Sequence, residues 1–252
     1  MKKVQLCLSG GGARGFAHLG VAEALHEMGV EISRISGTSA GAMAGAFLAA
    51  GYDPRLVLEL LMEHKIFRMF RGAFNGGLLK MNKVEAFLNQ YLPASFNELK
   101  IPMYIAVTDL LSGKVYFMNE GNIKQIILGS CSIPGLFKPV NYNQMLLVDG
   151  GVLNNLPIEP LQNYKDPIIG VHVNPVGELP KISSTWSVLE RSFHLCVFSN
   201  TVYREAKCDL LIEPQALMNT KVFDYKKSKD FYKMGYQQTM LQRDEILGLL
   251  SK

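Results

Sequence analysis

No apolar run in this chain approaches the roughly 20 residues that a membrane-spanning helix needs. The N-terminus carries Met-Lys-Lys and then only Val4–Leu8 before a run of glycines. That stretch is too short for the apolar region of a secretory signal, so the expectation is a cytoplasmic protein, with a peripheral place at a membrane left open. Cysteine is scarce: Cys7, Cys131, Cys196 and Cys208 show no C-x-x-C or metal-like spacing. Three of them sit in apolar or helical segments, which predicts buried free thiols in a reducing compartment and no metal centre. Charge of either sign is thin. The net value of +4, without a Lys/Arg-rich run or an RNA-reading aromatic motif, argues against a nucleic-acid partner. Weak attraction to anionic surfaces is compatible with it. Internal repeats, low-complexity linkers and composition shifts are absent, so one domain over residues 1–252 is expected, and the oligomeric state is left unassigned.

What the chain does have is a globular composition, with 48% apolar and 19% charged residues, and enough length for one sizeable core. Its focus is Ile32–Ala50, which centres on Gly37-Thr38-Ser39-Ala40-Gly41, a G-x-S-x-G. A short strand precedes it and a thin, small-residue helix follows, ending at Gly51. Strand, sharp turn and helix are the context of a nucleophile elbow. Glycines two residues either side of Ser39 remove Cβ atoms from a crowded turn. A helix starting near Ala40 aims its N-terminal N–H groups at the site, which favours an oxyanion. The alternative is an ordinary glycine-rich turn.

The first strand candidate, Val4–Leu8, runs into Ser9-Gly10-Gly11-Gly12-Ala13-Arg14-Gly15 and then a helix to about Met28, with Ala17, Val21, Ala24, Leu25 and Met28 as its apolar stripe. Such a loop is an anion cradle of consecutive N–H groups. Gly10-x-Gly12-x-x-Gly15 also fits a dinucleotide fingerprint, but that motif wants an acidic residue at the end of the second strand. Here that strand ends in Ser36-Gly37-Thr38-Ser39, and Glu31 lies before it. A cradle beside a serine matches acyl transfer better, because an attacking hydroxyl there needs N–H donors close to the developing oxyanion.

Further along, Asp53-Pro54 reads as a helix start. Residues 64–79, His-Lys-Ile-Phe-Arg-Met-Phe and onward, mix aromatics, cations and glycines. They read as a core-covering loop, with a lid or lipid-touching patch as the alternative. Asn82–Glu85 resembles a capping box opening a helix. Pro102–Thr108 and Val115–Met118 read as a hairpin, and Asn122–Ser130 as a helix ending in a rigid loop. Gln144–Val148 is an apolar strand that delivers Asp149-Gly150-Gly151, Pro167–Val173 another strand, and the remainder mostly helix, about Ser187–Lys207 and Lys229–Leu250, around a brief strand at Leu210–Ile212.

A serine needs a base within hydrogen-bond reach. The order Ser39, Asp149, His172 matches an α/β-hydrolase triad. However, His172 reads as a strand residue between Val171 and Val173, and His18 as a packed residue in the first helix. Asp149, between an apolar strand and two glycines, should emerge at the same sheet edge as Ser39. A free Asp, with a pKa near 3.9, is a weak base, so it must touch the hydroxyl and be partly desolvated.

Three motifs thus stand in order: GGGARG at 10–15, GTSAG at 37–41 and DGG at 149–151. Together with SCSIPGLFKPV around 130–140, DGGVLNNLP around 149–157 and KMGYQQT near 233–239, they resemble the patatin-like phospholipase family across nearly the whole chain. The resemblance implies an α/β fold, a three-layer α/β/α sandwich with a mainly parallel central sheet. It implies a Ser–Asp dyad, with Ser39 as nucleophile and Asp149 as proton acceptor. It implies an oxyanion hole at Gly10, Gly11, Gly12, Ala13, Arg14 and Gly15, chiefly the N–H of Gly11 and Gly12, with Arg14 supporting the loop. Gly37, Thr38, Ala40 and Gly41 form the elbow, and Gly150 and Gly151 complete the third motif. An acyl lipid substrate, an acyl-enzyme and no metal or cofactor follow, and transient membrane contact is admitted. A general esterase or thioesterase, or an idle acyl- or protein-binding regulator, are the alternatives.

Overall fold

Period-2 alternation in β1 (Lys3–Leu8) sends Val4, Leu6 and Leu8 to one face of a sheet and Cys7 to the other. The structure, a computed structural model, describes residues 2–64, 81–179, 181–218 and 220–251. The segment 64–79, singled out in the sequence, lies from residue 65 onward outside the described residues. From β1 the chain enters α1 (Phe16–Glu27), β2 (Glu31–Thr38), α2 (Ala40–Ala49), α3 (Pro54–Glu63) and α4 (Asn82–Tyr91). The hairpin β3 (Met103–Asp109) and β4 (Lys114–Met118) follows, then α5 (Ile123–Ser130), β5 (Val140–Tyr142), β6 (Met145–Asp149) and β7 (Ile168–Val171). Last come α6 (Thr185–Ser199), α7 (Val202–Glu205), β8 (Leu210–Ile212), α8 (Ser228–Leu241) and α9 (Arg243–Leu249).

The eight strands form one mixed sheet. Strands β3, β2, β1, β7 and β8 are mutually parallel in that order, while β4, β5 and β6 join antiparallel. Strand order reverses at β1, which is followed in sequence by β2 on one side and flanked by β7 on the other. In open α/β sheets the crevice at such a switch point, outside the carboxyl ends of the strands, is where ligands sit. The outer layers are unequal. One face carries the main core, built with α1 to α5 and α8. The other holds a small cluster of Cys7, Leu156, Ile158, Leu161 and Ile168.

Strand β3 explains the site's placement. Its residues Ile105 and Ala106 pair with β2 and β4 at once, and Val107 to Asp109 pair with β4 and β6 at once. A strand has two edges, so β2 and β6 share one of them, end to end. Strand β2 ends at Thr38 opposite Ala106, and antiparallel β6 ends at Asp149 opposite Val107. Their carboxyl ends therefore meet head-on. Asp149 reaches the Ser39 edge as expected, but through an antiparallel strand.

Several local expectations are corrected. Asn82 is the first helical residue of α4, with Met81 as an uncapped start, so the capping-box pattern is not used. Strand β7 stops at Val171, leaving His172 just beyond it. The last helix is two, broken at Gln242. Strand β5 adds an element between the expected helix and the Gln144–Val148 strand, where none is expected. All four cysteines are free, but Cys196 is exposed rather than buried.

Candidate active site

Ser39 sits between β2 and α2 with φ 53 and ψ −118, outside both helical and extended space. A non-glycine residue at positive φ is strained and persists only where its surroundings fix it. Here the Ser39 N–H donates to Ser130 Oγ at 2.8 Å, and that hydroxyl donates to the carbonyl of Ala106 at 2.8 Å. Ser130, fully buried at the end of α5, thus pins the turn to β3. The flanking glycines are required by close approach: a Cβ on Gly37 would lie 2.6 Å from the carbonyl oxygen of Gly41, and one on Gly41 2.3 Å from that of Leu8. Thr38 anchors the strand end by donating to the carbonyl of Asn154 at 3.0 Å.

The Asp149 carboxyl is buried and close enough to the Ser39 side chain for that side chain to lower its pKa. Its Oδ1 also accepts the N–H of Gly151 at 2.8 Å, which orients the carboxylate. Burial pushes its pKa up to about 6, against the pull of the bonds from Ser39 and Gly151. The group is still mostly ionised at neutral pH, yet far more basic than a free Asp. Cys131 lies beside the same pair, and burial pushes its thiol pKa far above the ordinary value, which keeps it neutral.

The glycine loop closes the other side. Gly10 N–H donates to Asn155 O at 3.2 Å, Ala13 N–H to Val222 O at 2.7 Å and Arg14 N–H to Gly11 O at 3.1 Å. Gly10, Ala13 and Arg14 are therefore not free donors. Gly11 and Gly12 N–H have no acceptor among the described residues, and both glycines line the cavity that holds Ser39 and Asp149. Gly12 has φ +56, a conformation that L side chains rarely adopt. Gly15, at the start of the first helix, packs where a Cβ would meet that of Ala40 at 2.5 Å.

Arg14 braces this loop from behind. Its guanidinium is buried and donates to Thr220 O at 2.6 Å, Thr220 Oγ1 at 3.2 Å and Asn174 Oδ1 at 3.3 Å. Asn174 Nδ2 in turn donates to Gly10 O at 2.7 Å. Burial lowers the Arg14 pKa to about 10, so it keeps its charge at neutral pH.

The histidines take other work. His172 is buried, with Nδ1 at 2.9 Å from both Glu205 and Glu213. Burial opposes its charged form, but the two carboxylates outweigh that and raise its pKa. His18 is fully buried against the Ser9 carbonyl at 2.8 Å, and burial lowers its pKa to about 4. Neither lines the cavity.

That cavity, of about 600 Å³, is walled by the 133–137 loop, by Leu189, Phe193 and Val197 of α6, and by Val222 and Phe223. Asn174, Glu190 and His194 add polar points. A narrower apolar space of about 60 Å³ leads from Ser39 past Met43, Leu61, Met81 and Val84. The roles of Ser130, Asn174 and the α6 wall escaped the sequence reading, because each meets the site only through the tertiary fold.

Comparison with known proteins places the chain within a family. The family model described as patatin-like phospholipase matches residues 6–161. An uncharacterised NTE family protein of Mycobacterium tuberculosis is 36% identical over 195 residues, covering 73% of this chain and 54% of the relative. Lysophospholipase NTE1 of Coccidioides immitis is 29% identical over 214 residues, covering 75% of this chain and 13% of that protein. The chain thus spans about half the length of the mycobacterial relative and a small part of the fungal one. Among solved structures, VipD from Legionella pneumophila matches in fold with a TM-score of 0.61 at 17% identity, over 97% of this chain and 67% of that one. With the family model covering more than half of the sequence, the chain belongs to the patatin-like phospholipase family.

Proposed function

We propose that this protein is a lipid acyl hydrolase that cleaves carboxylic esters through a Ser39–Asp149 dyad and an acyl-enzyme. The observation that carries the reading is the meeting of Ser39, held at positive φ, with a desolvated Asp149 carboxyl, in one cavity with the unpartnered N–H groups of Gly11 and Gly12. Asp149 takes the Ser39 hydroxyl proton as Oγ bonds to the ester carbonyl carbon. The carbonyl becomes an oxyanion that accepts from Gly11 and Gly12 N–H. Collapse breaks the bond to the alcohol, which leaves with the proton from Asp149. Water then repeats the sequence, Asp149 accepting its proton, and the fatty acid departs from a regenerated Ser39. The Arg14 cation behind the loop favours the oxyanion electrostatically.

The mainly apolar walls suit an acyl chain, and the neighbouring fungal relative is named a lysophospholipase. Lysophosphatidylcholine or a phospholipid is therefore the substrate class to assay first. Fatty-acid release by the purified chain, with an acyl adduct on Ser39 caught by rapid acid quench and mass spectrometry, is the expected result. Turnover that persists in Ser39→Ala would overturn the reading.

A further inference from the structure

Helix α6, one wall of the cavity, also carries an exposed apolar face that continues from the cavity lining. Positions 188, 192 and 195 and positions 189, 193 and 196 form two adjacent rows at helical spacing. They carry Val188, Ser192, Leu195, Leu189, Phe193 and Cys196, all exposed and none charged. The charged residues of the helix lie elsewhere: Glu190 faces the cavity, and Arg191 donates to the Gly177 carbonyl at 2.6 Å. Eight of the sixteen large apolar side chains exposed among the described residues fall between Leu179 and Tyr203. That concentration marks a contact surface rather than scattered exposure.

We propose that this face of α6 seats the protein on a lipid bilayer. The proposal rests on the lipid-hydrolase reading and names where that enzyme meets its substrate. Two observations select a bilayer over other occupants. Leu189 and Phe193 are at once exposed and part of the wall around Ser39 and Asp149. A lipid leaving a membrane on this face would reach the dyad along a continuous apolar surface, without passing its acyl chain through water. Exposed Lys181 lies a few residues before the helix and exposed Lys221 next to Val222 of the cavity wall, against Glu178 and Glu190, on a chain of net charge +4. Apolar insertion is thus the main attraction, with a smaller contribution from anionic headgroups.

The test is co-sedimentation with vesicles of phosphatidylcholine containing a minority of phosphatidylglycerol. Val188→Asp and Leu195→Asp change the exposed face without touching the cavity lining. Each should lose roughly tenfold in vesicle affinity, the value of burying one such side chain, and hydrolysis of vesicle lipid should fall with it. Turnover of a short soluble ester should stay at the wild-type level, which also shows that the variants fold. Lys181→Glu should weaken binding to these vesicles and leave binding to pure phosphatidylcholine unchanged. Equal sedimentation of wild type and both Asp variants overturns the proposal. So does light scattering that finds a dimer abolished by the same substitutions while wild type ignores vesicles. If wild type binds vesicles through this face yet turns over no ester, the hydrolase reading fails and the docking face stands.

Discussion

At the residue scale, the proposed dyad places opposite demands on Asp149, from folding and from chemistry. Its pKa, raised by burial to about 6, lies above the unfolded value near 3.9. The native state therefore binds more protons than the unfolded chain between those values. The stabilising contribution of this group is present below pH 4 and is lost as pH rises through 6. At neutral pH the shift of about two units opposes folding by about 3 kcal/mol. Asp149→Asn should consequently raise Tm at pH 7, while activity falls by roughly 10²–10⁴. In the wild type, kcat/KM should drop about tenfold per pH unit below 6, because only the ionised carboxylate accepts a proton. His172→Ala, by contrast, should keep a near-normal pH profile, since Glu205 and Glu213 hold that ring and it does not line the cavity. Loss of activity in His172→Ala with retention in Asp149→Asn would restore a histidine base.

Ser130 gives the second residue-scale prediction. Ser130→Ala leaves the buried N–H of the strained Ser39 turn without its acceptor. That should cost about 1–3 kcal/mol of stability and lower kcat more than KM, because the nucleophile loses its fixed direction. Ser130→Thr keeps the hydroxyl and should recover part of both. Equal kinetics in Ser130→Ala and wild type would remove this residue from the support of the elbow. The three short motifs were readable in sequence because each is a local backbone device, a turn or a cradle, whose glycines are demanded within a few residues. The roles of Ser130 and Asn174 were not, since Ser130 acts on Ser39 from 91 residues away and Asn174 on Arg14 from 160.

At the scale of elements, the strands and helices that bury a regular stripe were legible: β1, α1, β2, α2, the β3–β4 hairpin and α5 fall within a residue or two of their apolar patterns. What escaped were elements fixed by neighbours. Strand β5 has three residues and exists only as an edge to β6. The break between α8 and α9 at Gln242 has no Gly or Pro to announce it. The tight union of α1 with α8 was also invisible, though it sets the thickness of the main helical layer. A Cβ on Gly20 would fall 2.0 Å from the Tyr232 carbonyl oxygen, and one on Gly235 2.1 Å from that of Ala17. Backbone cannot yield as a side-chain tip does, so Gly235→Ala should destabilise by about 3 kcal/mol. Chemical denaturation reads this directly. An unchanged midpoint would mean that the two helices are not in such close contact.

At the scale of the whole molecule, the fold brings four sequence-distant stretches to one place. The glycine loop stands at the switch point after β1, the elbow after β2, Asp149 at the end of β6, and the α6 wall over all three. The sequence order of motifs implied this convergence, but its route was hidden. An antiparallel strand meeting β2 head-on is a matter of register, and register is decided by the pairing of β3 with both strands, Ala106 with Thr38 and Val107 with Asp149, which no local pattern announces. On the proposed mechanism this convergence activates Ser39. The most direct test is labelling of the purified chain by a fluorophosphonate, with intact mass and peptide mapping. One adduct is expected, on Ser39, absent in Ser39→Ala and much slower to form in Asp149→Asn. A folded wild type that stays unlabelled, or an adduct on any other residue, would contradict it.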